Sequence, residues 1–340
     1  MTELLVLTRA IHFGAVLWLF GEFAFLAFVL RPALRSVPVD VTAKLERERR
    51  LIRVATGCVA IAVASSISWL LLEAVNMSGA GLAVAIDRET LGAVLRETRF
   101  GNVWLVRLAI SLLIGALLWW MGRQRYRSMS PCASIVATVL AGAYTATLAS
   151  TGHASAHVGT DRAIHLGCDG VHLLAAGAWV GALPGLVSLL DGARGHGRTG
   201  AFALAVAATR RFSALGMVSV SALLATGMVN AYYLVGSVAA LFGTDYGRLL
   251  LWKFLFFVVM VTLAGINRLH LAPRLTTIAP STEDPPSGKA LTSLRRNALL
   301  EMAAGIAIVG VVAVLGLTTP AVHMPEGVGA HPMHSGDHAH

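Results

Sequence analysis

Charge is scarce in this 340-residue sequence: Asp, Glu, Lys and Arg together make up 13% of it, about half the share usual in a soluble domain. That scarcity excludes an ordinary soluble globule. Cysteine is scarce as well. Cys58, Cys132 and Cys168 lie in or beside apolar runs, form no C-x-x-C pair and offer no disulfide framework. The sequence has no G-x-x-x-x-G-K-[ST], which removes a pump driven through that nucleotide-binding loop. The short alternating segments of a β-barrel are absent too. The first apolar run is long and its basic residues follow it, the reverse of a cleaved signal peptide. A formal charge of +9 invites a nucleic-acid reading, but the Lys and Arg sit in short clusters between apolar runs, so no nucleic-acid partner is expected.

What is abundant is apolar sequence, 56% of the chain, in runs that reach the roughly 20 residues a helix needs to cross a bilayer. Eight such runs fall near 4–30, 52–75, 103–121, 131–150, 164–190, 212–235, 248–270 and 298–317. An all-α bundle of eight membrane helices is expected, because helices satisfy their own backbone groups in lipid. Nineteen of the 27 Lys and Arg fall in every second loop, at 31–53, 123–127, 194–211 and 268–296. The positive-inside rule then puts those loops in the cytoplasm and both termini on the periplasmic side. The segment 76–102 reads as an amphipathic surface helix, and 276–293 as a flexible linker rich in Pro, Ser and Thr. No internal repeat is apparent, so an inverted-repeat transporter is not expected. Residues 1–320 form the bundle, and 321–340 read as a disordered tail.

Ionisable residues inside apolar spans are costly and mark function by default. They include Arg9, His12, Glu22, Glu73, Arg107, His165, Asp169, His172, Lys253 and Glu301. Arg107, Lys253 and Glu301 fall near span ends, where snorkelling or an ion pair accounts for them. The fifth span is more specific. In HLGCDGVH, residues 165–172, the side chains of His165, Cys168, Asp169 and His172 share one stripe about 100° wide. Imidazole and thiolate suit copper, zinc or haem iron, and a neighbouring carboxylate orients an imidazole. Polar packing against hydroxyls of other spans is the plainer alternative. His12 and His172 lie at similar depths in spans one and five and meet if those spans pack together. Met77 and Met228 offer softer donors at the same side.

Outside the spans, His153 and His157 read either as an entry to this site or as solvated loop histidines. The tail holds His323, Met324, His331, Met333, His334, His338 and His340, a donor mixture suited to copper in both oxidation states.

The stretches LWLFGEFAFLAFVLRPAL (17–34), STGHA (150–154), HLLAAGAWVGALPGL (172–186), RFSALG (211–216), TGMVNAYYLVGS (226–237), TDYGRLLLWKFLFF (244–257), NRLHLAPRL (267–275) and LRRNALLEMAAG (294–305) together resemble the copper resistance D (CopD) family of bacterial inner-membrane proteins. The resemblance runs through nearly the whole chain and is densest from about 205 to 310. It implies eight spans, copper moved across the inner membrane, and a periplasmic copper-binding partner of the CopC type. His153 and His172 lie in the matching stretches; His12, His157, His165, Cys168, Asp169 and the tail donors rest on the residues themselves. Import or homeostasis of copper, without catalysis, is the leading expectation. The alternative is a b-type haem protein for electron transfer or cupric reduction, with His12 and His172 as axial ligands.

Overall fold

The structure, a computed structural model, describes residues 2–38, 40–79, 81, 83, 87–124, 128–151, 160–194, 199–275 and 286–323. The described residues are mostly helical, with no strand among them. Eight helical stretches are long and apolar enough to cross a membrane, as the hydropathy pattern predicts. The elements are α1 (Thr2–Ala24), α2 (Arg31–Ser36), α3 (Val41–Ser78), α4 (Arg88–Glu97), α5 (Arg99–Arg123), α6 (Pro131–Thr147), α7 (Thr160–Val180), α8 (Leu183–Gly192), α9 (Thr199–Val235), α10 (Val238–Gly243), α11 (Asp245–Ile266), α12 (Ala272–Arg274) and α13 (Pro286–Leu315).

Helix α1 is the axle of the bundle. Val16, Leu19, Phe23 and Leu26 are fully enclosed, and α3, α6, α7 and α13 pack around them. Helix α1 comes close to the C-terminal end of α7, where Gly21 meets Gly181 backbone to backbone and Phe20 lies over Gly177. Gly177 and Gly181 make a G-x-x-x-G spacing, which lets helices approach closely in lipid. Helix α11 lies at the periphery and exposes Trp252, Phe254, Leu255, Val258 and Val259, a surface suited to acyl chains.

The bundle has two distinct ends. Both described chain ends lie at one of them, since Gly316 packs against the Arg9 guanidinium. The clustered arginines gather at the other, called the basic end below. At that end the helices run longer than hydropathy indicates: α3 begins at 41 rather than 52, α9 at 199 rather than 212, and α13 at 286 rather than 298. The reason is that Arg, Lys and Glu form helices well once clear of lipid, so a hydropathy reading stops where the charge begins and the helix does not. The linker expected at 276–293 is corrected accordingly: 286–293 belongs to α13, and 276–285 lies outside the described residues.

Two spans pass a proline without breaking. Each contains a π-helical turn, Phe25–Leu30 before Pro32 and Asn267–Leu271 before Pro273. Proline lacks an N–H and crowds the carbonyl one turn back; the wider turn relieves that crowding.

The amphipathic segment is present as α4. Asp87 accepts a hydrogen bond from the Glu89 N–H as its N-cap (3.1 Å), and Val94 packs into a small core with Leu70, Ala74 and Trp104. The Trp104 indole donates to the Ser66 carbonyl at 2.9 Å. Trp104→Phe loses this bond and part of the buried ring system, and is expected to cost about 1–3 kcal/mol, read as a drop in unfolding temperature in detergent.

Candidate functional site

The stripe on α7 faces α9 and pairs with it rung by rung. His165 stacks on Tyr233, with centroids 4.9 Å apart and planes 12° apart. Asp169 Oδ1 accepts from Asn230 Nδ2 at 3.2 Å. His172 Nδ1 lies 3.0 Å from Thr226 Oγ1. The Thr226 hydroxyl already donates to the Ala222 carbonyl at 2.6 Å, so it accepts from the imidazole. Nδ1 therefore carries the ring proton, and the lone pair is on Nε2. Such a hydrogen bond behind an imidazole is what fixes a metal-binding histidine in its working tautomer. From α11, Lys253 stands within electrostatic reach of both Asp169 and His172, and Tyr246 within reach of Asp169. Cys168 is a half-buried free thiol on the same helix face.

His12 sits at a second site, between α1, α3 and α6. It is 0% exposed. Its Nδ1 lies 3.1 Å from both the Ala62 carbonyl and Ser65 Oγ. A carbonyl only accepts, and Ser65 donates to the Ile61 carbonyl at 2.7 Å, so Nδ1–H is again the donor. The Nε2 atom has no hydrogen-bond partner among the described residues. Trp69 and Tyr144 enclose the ring edge-on at 5.6 and 6.0 Å. Two guanidinium groups cover Trp69, Arg9 at 4.9 Å and Arg107 at 5.6 Å, each gaining from the negative face of the indole. Arg107 also donates to the Thr147 hydroxyl (3.1 Å) and carbonyl (2.8 Å).

Spans one and five do pack together, and their histidines are level. His12 is nine residues from Gly21 and His172 nine from Gly181, about 13 Å up each helix from the glycine contact. They do not meet, however. Nine residues turn a helix through about 900°, half a turn from the seam, so each imidazole points away from the other helix, His12 toward α3 and His172 toward α9. The expectation that they share one ion, or one haem as its two axial ligands, is corrected on that ground. Among the described residues, no three His, Cys, Asp or Glu side chains converge as a metal-holding group.

Other expectations divide. Met77 and Met228 are exposed on the bundle surface, 51% and 70%. Arg107 and Glu301 are not snorkelling: they are 1% and 2% exposed. Glu301 lies in mid-helix because α13 begins earlier than its hydropathy shows; it accepts from Asn267 at 2.7 Å, and Asn267 in turn accepts from Asn297 at 2.9 Å. Glu22 accepts from the Trp18 indole at 2.8 Å and lines an open cleft of about 80 Å³ with Arg47 and Arg50. His153, His157, Met324, His331, Met333, His334, His338 and His340 lie outside the described residues, as does the His323 side chain, whose backbone closes the short turn Ala321–His323.

Sequence reasoning missed Ser65, Thr226, Asn230 and Tyr233 as partners of the ionisable groups. Packing against hydroxyls of other spans was the plainer alternative for these histidines; which hydroxyl stands behind His172 needed the register of α7 on α9.

Comparison with known proteins places these elements among relatives. Residues 1–164 match the family described as "Copper resistance protein D-like, N-terminal domain", and residues 206–315 match "Copper resistance protein D". The chain is 31% identical over 273 residues to "Copper resistance protein D" of Pseudomonas syringae pv. tomato, covering 76% of this chain and 82% of that protein. It is 29% identical over 269 residues to "Inner membrane protein YebZ" of Escherichia coli (strain K12), covering 78% and 84%. A third relative, "Copper transport protein CutJ" of Bacillus subtilis (strain 168), is 28% identical over 224 residues, 64% of this chain but 39% of that longer protein.

Proposed function

The chain belongs to the copper resistance protein D family, and we propose that it carries copper inward across the bacterial inner membrane by way of the polar seam between α7 and α9. The observation that carries this reading is His172: an imidazole within a membrane span, tied by Nδ1 to Thr226 so that its lone pair is on Nε2, with Asp169 one turn away. His165 and Cys168 on the same helix supply the approach to it. Copper is the cargo, and the role is carriage rather than catalysis.

In this reading the basic end is cytoplasmic, so the termini, the loop with His153 and His157, and the tail with His323, Met324, His331, Met333, His334, His338 and His340 face the periplasm. There they gather copper or receive it from a CopC-like carrier. The names of two relatives, a copper transport protein and an inner membrane protein, support copper as the cargo and the inner membrane as the place. With no nucleotide-binding loop in the sequence, movement is passive, ion-coupled or completed by a partner.

Cell-associated copper, measured with and without the protein at equal external copper, tests the reading. Higher copper in expressing cells is the expected result, and equal copper in both would sink import. A visible spectrum of the same purified sample separates the haem alternative: a reducible Soret band would replace copper carriage with electron transfer.

A further inference from the structure

We propose that the chain is one four-helix unit used twice, and that copper binds within the second unit alone because Asp169 stands there where Arg9 stands in the first. The first unit comprises α1, α3, α5 and α6, and the second α7, α9, α11 and α13. His12 and His172 begin the correspondence, 160 positions apart, as are Gly21 and Gly181. Behind each imidazole stands a hydroxyl from the next span, Ser65 or Thr226, and each hydroxyl donates to the carbonyl four residues back in its own helix.

A short surface helix then leads into the third span of each unit through the same corner. Thr98 caps α5 by accepting from the Gly101 N–H at 3.0 Å, and Thr244 caps α11 by accepting from the Gly247 N–H at 3.0 Å. Each threonine also donates to the last turn of the surface helix, to the carbonyl of Val94 or Ala240. Both glycines sit tight against that turn, where a Cβ would strike backbone. Nine residues beyond each threonine comes a cation, Arg107 or Lys253, within electrostatic reach of the histidine of its own unit.

The contacts between the units follow the same rule. Gly21 meets its own counterpart Gly181, which is what a two-fold axis through the seam requires. Helix α1 packs on α13 and α7 packs on α6, a reciprocal pair. Because each unit has an even number of spans, the two run in the same direction, so the axis lies along the membrane normal.

The units differ where ligands would be. His165, Cys168 and Asp169 correspond to Leu5, Thr8 and Arg9, and Asn230 corresponds to Trp69. A cation approaching His12 would therefore meet two guanidinium groups stacked on Trp69, with Glu73 as the nearby acid. Near His172 the cation in reach among the described residues is Lys253, and Asp169 balances it. Buried charge without compensation is costly in a low-dielectric interior, so the first unit repels what the second accepts.

This inference rests on copper being the cargo, and the experiment separates the two. Cuprous ion is titrated into purified full-length protein, and copper bound per chain is compared among the wild type, His12→Ala, His172→Ala and the double variant Leu5→His/Arg9→Asp. His172→Ala is expected to bind one ion fewer, His12→Ala as many as wild type, and a monodisperse double variant one more. If His172→Ala loses no ion, the copper reading of the seam fails together with this one. If both single variants lose an ion, only the confinement to the second unit is overturned. A folded double variant that gains nothing removes the role given to Arg9.

Discussion

Gly181→Val is expected to leave little monodisperse protein after solubilisation, with what remains unfolding at a much lower temperature than wild type. A Cβ at this position would land on the Leu17 carbonyl of α1, and backbone on either side of the seam has no rotamer through which to yield. Overpacking a core costs about 1–3 kcal/mol where side chains relax, and more where they cannot. The position is also central, because α1 organises the packing of α3, α6, α7 and α13. Displacing α7 from it loosens the bundle as a whole. Gly115, by contrast, has nothing within 4 Å of where its Cβ would be, and Gly115→Ala is expected to be neutral or slightly stabilising through helix propensity. Size-exclusion profiles and unfolding temperatures of the two variants side by side check the claim; a Gly181→Val protein that elutes and melts like wild type would refute the seam.

The other large effect expected is on copper affinity. Thr226→Val preserves shape and removes the acceptor that fixes the His172 tautomer. Loss of such a supporting hydrogen bond weakens metal binding by about 10–100-fold. The fold itself should survive, because valine matches the branched shape of threonine and the Thr226 hydroxyl otherwise only bonds back to Ala222. Ser65→Ala is the matched change in the first unit and is expected to leave copper affinity unaltered. Titration against a competing chelator reads both. Equal affinity in wild type and Thr226→Val would show that Nε2 of His172 is not the copper ligand.

The contrast between units also explains what the sequence could and could not reveal. The eight spans were legible because lipid imposes one length and one composition on every crossing helix. The stripe on α7 was legible because a single helix fixes the phase of His165, Asp169 and His172. That His12 and His172 share a level was within reach for the same reason. Their turning back to back was not, since it depends on which face of α1 and α7 carries the glycine contact, and that is decided between helices. The duplication was concealed by its substitutions: Ser for Thr, Arg for Lys, Phe100 for Tyr246 and Arg9 for Asp169 keep the geometry while erasing the letters. Snorkelling was expected of Glu301 and Arg107; their burial against Asn267 and Thr147 comes from neighbouring helices and is not written in the hydropathy of one span.

The unbroken length of α9 has a mechanical consequence. Its 37 residues, Thr199–Val235, make a rod of about 55 Å, well beyond the ~30 Å of hydrocarbon it crosses. Thr226 lies near one end and Thr199 at the other, 27 residues away, or about 40 Å. The neighbouring α7 is interrupted before α8 and α1 carries a π turn before α2, so those spans can absorb a small rotation locally. The rod cannot. Any tilt of α9 at the seam is therefore carried to the opposite face of the membrane, about 5° of it, pivoting near Thr226, moving the far end by roughly 3–4 Å over that lever arm.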